Sequence, residues 1–183
     1  MSLILKDWNV VAAVRESQFG PGKFNLDQIG MVGETDFPDI LVVRVADPQE
    51  LLRDLESKLK QESNFFEAIR MIRPVDRQFE FASPEGFRSR ALETVLEHAD
   101  PLRGKTFDVH VMLRGVTEEL GPERLRSDLR AALQERLDEA GQNGAVDTDR
   151  PERIVSVETV AKTAGITMWT DEQVDRYPFL ALD

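Results

Sequence analysis

Along residues 105–115, KTFDVHVMLRG, the apolar Phe107, Val109, Val111 and Leu113 alternate with Asp108, His110, Met112 and Arg114. A period of two marks a β-strand with one buried face. The same reading predicts strands at Trp8–Val14, Asp39–Val45, Arg153–Val160 and Lys162–Trp169. Residues 65–81 carry β-favouring runs on both sides of Pro74, which predicts two short strands there. Helical spacing takes over in three places. Ala46–Gln61 sets Leu51, Leu52, Leu55 and Leu59 on one stripe, with Asp47 as cap and Pro48 in the first turn. Ser83–Ala99 opens on a capping pattern and gathers Phe87, Ala91, Leu92, Val95 and Leu96 on one side. Pro122–Ala140 aligns Leu125, Leu129, Ala132, Leu133 and Leu137. Gly20, Pro21 and Gly22 predict a loop after the first strand, Gly141–Arg153 is turn-rich, and the chain closes on a short helical turn and a tail.

Strands around one helix, then helix, strand, helix and two strands, describe an α+β chain. The expected boundary lies near Phe81–Ser83, giving domains of residues 1–82 and 83–183, with no repeat between them. At 183 residues, 41% hydrophobic and 31% charged, the chain can bury a core and is not expected to be globally disordered. It has no cysteine. That excludes disulfides, thiolate nucleophiles and zinc–cysteine sites, and fits a cytoplasmic setting. No apolar run approaches the roughly 20 residues that span a bilayer. The opening MSLILKDWNVV lacks a basic segment followed by a long apolar one, so neither a signal peptide nor a membrane partner is expected.

Charge narrows the partner classes. The net charge is −11, from 34 acids and 23 bases. A chain this acidic does not attract phosphate at long range, so nucleic-acid binding needs a local basic patch. Residues 1–84 carry 10 bases against 14 acids, and residues 85–183 carry 13 against 20. Eight of those 13 lie between residues 88 and 130: Arg88, Arg90, Arg103, Lys105, Arg114, Arg124, Arg126 and Arg130.

Catalytic and metal-binding patterns are weak. Gly20–Lys23 follows a strand, but the glycine–lysine–serine spacing of a phosphate loop is missing, so a tight turn is expected. His110 has Asp108 on the same strand face, about 7 Å away by strand rise and too far for a direct bond unless the side chains lean together. His98 sits near a helix end, where the dipole favours it. Asp147, Asp149 and Glu152 offer a weak cation site at most, and other acid pairs are expected by chance among 34 acids. GxSxG, HExxH and a glycine-rich dinucleotide fingerprint are all absent. Trp8 and Trp169 are expected in the core.

The order of elements in the second half, with its short motifs, resembles a THUMP domain. Phe107, Val109, Arg114 and Gly115 match the family's "F-x-V-x-x-K/R-R-G" strand. Val146, Asp147 and Pro151 match its "V-D-L-x-x-P-D" segment, with Thr148 in place of the leucine and Glu152 of the aspartate. Val155, Val157 and Glu158 fit the strand after it. Pro21–Gly22 and Asp47–Pro48 stand where the N-terminal ferredoxin-like domain of such proteins has its "P-G" loop and "D-P" helix start. The resemblance implies a ferredoxin-like α/β sandwich followed by a THUMP α/β domain. It also implies binding to RNA, usually tRNA near its acceptor end. The chain has no room for a base-modifying catalytic domain, so it is similar to the stand-alone branch: a non-catalytic adaptor, without cofactor or metal, that presents RNA to a separate modifying enzyme. On this reading Arg88, Arg90, Lys105, Arg114, Arg124, Arg126 and Arg130 contact RNA. The alternative for each arginine is pairing with Glu118, Glu119, Glu123 or Asp128, leaving a protein-interaction module whose acidic surface docks a basic partner.

Overall fold

Strand β1 (Val10–Val14) is five small or branched apolar residues, all buried, so both faces of the sheet it joins must be covered. The computed structural model describes residues 5–61 and 63–182. Of the opening segment read for a targeting signal, Met1–Ile4 lie outside the described residues. Two compact units form, one of residues 1–76 with 174–183, the other of residues 77–173.

In the first unit β1 is followed by α1 (Phe19–Asp27), β2 (Met31–Glu34), β3 (Ile40–Arg44), α2 (Pro48–Lys60) and β4 (Ile69–Pro74). Its sheet is antiparallel throughout, in the order β2-β3-β1-β4. The helix expected over Ala46–Gln61 is α2. Asp47 Oδ1 accepts the N–H groups of Gln49 and Glu50 at 2.9 and 3.3 Å, and Leu51, Leu52 and Leu55 are buried. Full burial of such a side chain contributes about 1.5–3 kcal/mol.

The loop expected over Gly20–Gly22 is instead helical. Pro21 falls in the first turn, where a missing N–H costs nothing, and Gly22 brings the helix onto β1. A Cβ on Gly22 would overlap the Val14 side chain and meet the Ala68 carbonyl oxygen at 3.3 Å. From Val174, within α5 (Asp171–Arg176), the chain returns to this unit. Arg176 Nε bonds Glu56 Oε1 at 3.1 Å, the Phe179 ring stacks on Phe66 at 5.6 Å, and the short turn Pro178–Leu180 packs against β4.

The second unit runs β5 (Arg77–Glu80), α3 (Pro84–Leu96), β6 (Thr106–Met112), α4 (Pro122–Glu139), β7 (Ala145–Val146), β8 (Arg153–Val160) and β9 (Thr163–Thr170). Its five-stranded sheet has the order β5-β9-β8-β6-β7. β6 is parallel to β7 and β8, and β9 is antiparallel to β8 and β5. The two strands expected around Pro74 are β4 and β5, which belong to different sheets. Where the sequence placed a boundary at 82/83, the compact units divide after Asp76, because β5 pairs with β9, and the tail from Val174 joins the first unit.

The alternation that marked β6 is observed. Phe107, Val109 and Val111 are buried with Val155, Val157, Ala164 and Ile166 against Leu125, Leu129, Leu133 and Leu137 of α4 and Phe87, Ala91 and Val95 of α3. Trp8 and Trp169 are both buried. The molecule is thus mixed α/β, with two sheets and five α-helices among the described residues. None of those helices is long and apolar enough to cross a membrane.

Candidate nucleic-acid interface

The RNA-contact residues expected from the sequence all lie in the second unit, but they do not converge on one patch. Along α4 the buried stripe is Leu125, Leu129, Leu133 and Leu137. Arg124 and Asp128 each precede a stripe residue by one position, and Arg126 and Arg130 each follow one. At 100° per residue they lie on opposite flanks of the helix.

On one flank Arg88 of α3 bonds Asp128 Oδ2 at 3.0 Å. Arg124 has no partner among the described residues. With Arg88, Asp128, Glu85 and Glu119 it lines a hollow of about 310 Å³. On the other flank Arg130 Nε donates to Asp108 Oδ1 at 2.6 Å, and Arg126 donates to Glu123 one turn earlier, also at 2.6 Å. Asp108 Oδ1 also accepts its neighbour's Val109 N–H at 2.7 Å, so this carboxylate is engaged by both Arg130 and the backbone.

Arg90 lies elsewhere, its guanidinium 4.5 Å from the Phe79 ring centre and bonded to the Glu80 carbonyl at 2.9 Å. Lys105 approaches Glu152 at 3.8 Å. Glu152 is a structural carboxylate. It accepts the Thr106 N–H at 2.9 Å, and that bond, helped by nearby Lys105 and Arg153, holds its carboxyl below the usual carboxylate range. Asp147 is lowered likewise, by the N–H groups of Asp149 and Arg150, which makes it the hub of a turn.

Arg114 is the most changed from expectation. It is 9% exposed, and its Nη1 donates to Glu158 Oε1 at 2.7 Å, a carboxylate that is itself 1% exposed. The Arg114 N–H bonds Thr159 Oγ1 at 2.9 Å, and Thr159 bonds Thr117 at 2.8 Å. Gly115 then turns the chain at φ 101°, a value that favours glycine. The arginine–glycine pair of the strand motif is thus an internal latch between the end of β6 and the end of β8. Sequence reasoning did not link Arg114 to Glu158, which lies 44 residues away. The signal available was a single acid in the otherwise uncharged stretch Ile154–Val160.

Five of the seven expected contacts therefore pair with carboxylates, two of which, Glu123 and Asp128, are among the four weighed from the sequence. Of the other two, Glu118 caps Gly115 N–H at 3.0 Å. His98 Nδ1 sits 3.1 Å from the Thr94 carbonyl just beyond the end of α3.

No protein-family model matches the chain, and no curated protein matches it. Solved structures do. PH1313 from Pyrococcus horikoshii Ot3 superposes with a TM-score of 0.55 at 18% identity, over 88% of this chain and 54% of its own. A possible methylase from Clostridium difficile 630 gives 0.54 at 9% identity, over 88% and 40%. A predicted N6-adenine-specific DNA methylase from Listeria monocytogenes str. 4b F2365 gives 0.51 at 12% identity, also over 88% and 40%. The chain spans about half the length of PH1313 and less than half of the two methylases. What it shares with all three, across nearly nine-tenths of its length, is the mixed α/β fold.

Proposed function

We propose that the second unit is a THUMP-like RNA-binding domain and the first a ferredoxin-like one, and that the chain binds tRNA as a non-catalytic adaptor for a separate modifying enzyme. The observation that carries this reading is the placement of the motif segments. Phe107–Gly115, Val146–Pro151 and Val155–Glu158 include or adjoin the three neighbouring strands β6, β7 and β8 of one sheet, so a pattern spread over 50 residues of sequence gathers in space. The βαββαβ order of the first unit and its β2-β3-β1-β4 sheet support the ferredoxin-like reading. The fold shared with a protein described as a predicted N6-adenine-specific DNA methylase supports a link to nucleic-acid modification.

Among the seven bases, the exposed Arg88 and Arg124 beside their hollow are the strongest candidates for phosphate contact, since a guanidinium fork bonds phosphate bidentately. Arg114 acts through the fold rather than by touching RNA. Few free bases on an acidic chain mean weak, salt-sensitive binding, with each phosphate contact adding about one unit of salt slope. Titrating tRNA at low and moderate salt tests this. Binding should appear at low salt, and Arg124→Glu should weaken it and flatten the slope by about one unit. Absence of binding at low salt overturns the reading.

The pairing of five bases with carboxylates favours a second reading, a protein-interaction module for a basic partner. Its signature is purification from the native cell with a protein and without RNA.

A further inference from the structure

Five large hydrophobic side chains are exposed among the described residues, and three of them fall within 13 positions of the first unit: Phe19 at 40%, Phe24 at 66% and Met31 at 62%. Single exposed apolar residues are ordinary, but a concentration of them marks a contact surface. Phe24 and Gln28 are one helical turn apart and share a face of α1 and its continuation. Gln28 and Ile29 line a groove of about 510 Å³ whose other wall is Asp47, Glu50 and Asp54 at the start of α2. Met31 follows Ile29 by two residues.

The charges beside these side chains are mostly acidic; Arg44, the cross-strand neighbour of Met31, is bonded to Asp7. Glu50 and Asp54 have no cationic partner among the described residues, and Lys58, the one base in the groove, sits 5.3 Å over the Phe65 ring. Between residues 15 and 39 there are five acids against two bases, and Lys23, one of those bases, is bonded to Glu34 at 2.9 Å. Phosphate is repelled by such a rim. A second copy of the chain would bring the same acids against themselves, with −11 on each molecule.

We propose that the α1–β2 knuckle and the groove between that knuckle and α2 dock a lysine- or arginine-bearing segment of a partner protein that presents a bulky apolar side chain. Phe24 and Met31 supply the apolar contact, and Glu50 and Asp54 set the partner's charge. This surface uses residues of the first unit only, so it stands or falls separately from the RNA reading.

The probe is a short labelled peptide of alternating lysine and leucine around a central phenylalanine, compared by fluorescence anisotropy with a peptide in which serine replaces every apolar residue. The apolar peptide binds more tightly, and Phe24→Ser or Met31→Ser weakens it about tenfold. Both side chains are largely exposed, so both variants fold. Asp54→Lys weakens it too, by a factor that shrinks with added salt. Equal binding of the two peptides, or unchanged affinity in both serine variants, overturns the proposal. So does a doubling of mass in sedimentation that Phe24→Ser abolishes, which assigns the surface to a second copy. Loss of tRNA binding in Phe24→Ser assigns it to nucleic acid and overturns it as well.

Discussion

The two units treat polar and apolar groups in opposite ways. Of the eight buried polar or charged side chains among the described residues, seven belong to residues 77–173, and Arg73 alone to the first unit. The first unit holds three of the five exposed large hydrophobics, all on α1 and β2. In the second unit, five of the seven bases that look like a binding surface in the sequence are paired with carboxylates, and one of them, Arg114, lies in the interior. In the first unit, an apolar interior is accompanied by apolar side chains left outside. Charge count alone does not locate a contact surface, because what matters is which groups already have partners.

Arg114→Ala breaks that contrast most strongly. Removing one member of a buried ion pair leaves Glu158 in a low-dielectric site and costs about 3–5 kcal/mol. Urea denaturation should show the loss in the second unit, and a cost like that of an exposed pair would mean that the latch is not structural. Gly22→Ala is the counterpart in the first unit. Overlap of the new methyl group with Val14, and its approach to a backbone carbonyl that cannot yield, should cost about 1–3 kcal/mol. A gain in thermal stability there would refute the close approach of α1 to β1.

pH sharpens the comparison from both ends. Glu152 and Asp147 have lowered carboxyl pKa values in the folded second unit. Their contribution is present above the ordinary carboxylate range of about pH 4 and is lost as pH falls through the lowered values. Glu152→Gln should therefore flatten the acid limb of stability against pH. Lys23 in the first unit is raised, chiefly by its bond to Glu34, so its contribution is present below the ordinary lysine value and is lost as pH rises through the raised one. Glu34→Gln should flatten the alkaline limb. The smallest effect belongs to Arg126→Ala. Its partner Glu123 is exposed and one turn away, so calorimetry should register no more than about 0.5 kcal/mol.

Local patterns were legible in the sequence, and long-range partners were not. β6 declared itself by strict alternation, and α2, α3 and α4 by apolar stripes behind Asp47, Ser83 and Pro122. Glycine and proline concealed α1, because the propensity that argues against a helix there is overridden by packing of Gly22 on β1. β2 escaped as four residues with a central glycine. The basic cluster was legible as composition only. Arg130 meets Asp108 across 22 residues and Arg114 meets Glu158 across 44, and neither pairing has a period that a sequence could display. The exposed Phe24 was hidden for the same reason as α1, since a residue assigned to a loop carries no expectation of a face.

The stacking of Phe179 on Phe66 has a consequence for how the chain is made. The first unit lacks its final packing layer until a segment synthesised more than 100 residues after Phe66 has appeared, a wait of roughly 6–20 s at ordinary elongation rates. Residues 77–173 are complete before that moment. Of the two units, the one whose first strand is made earlier is therefore the one completed later.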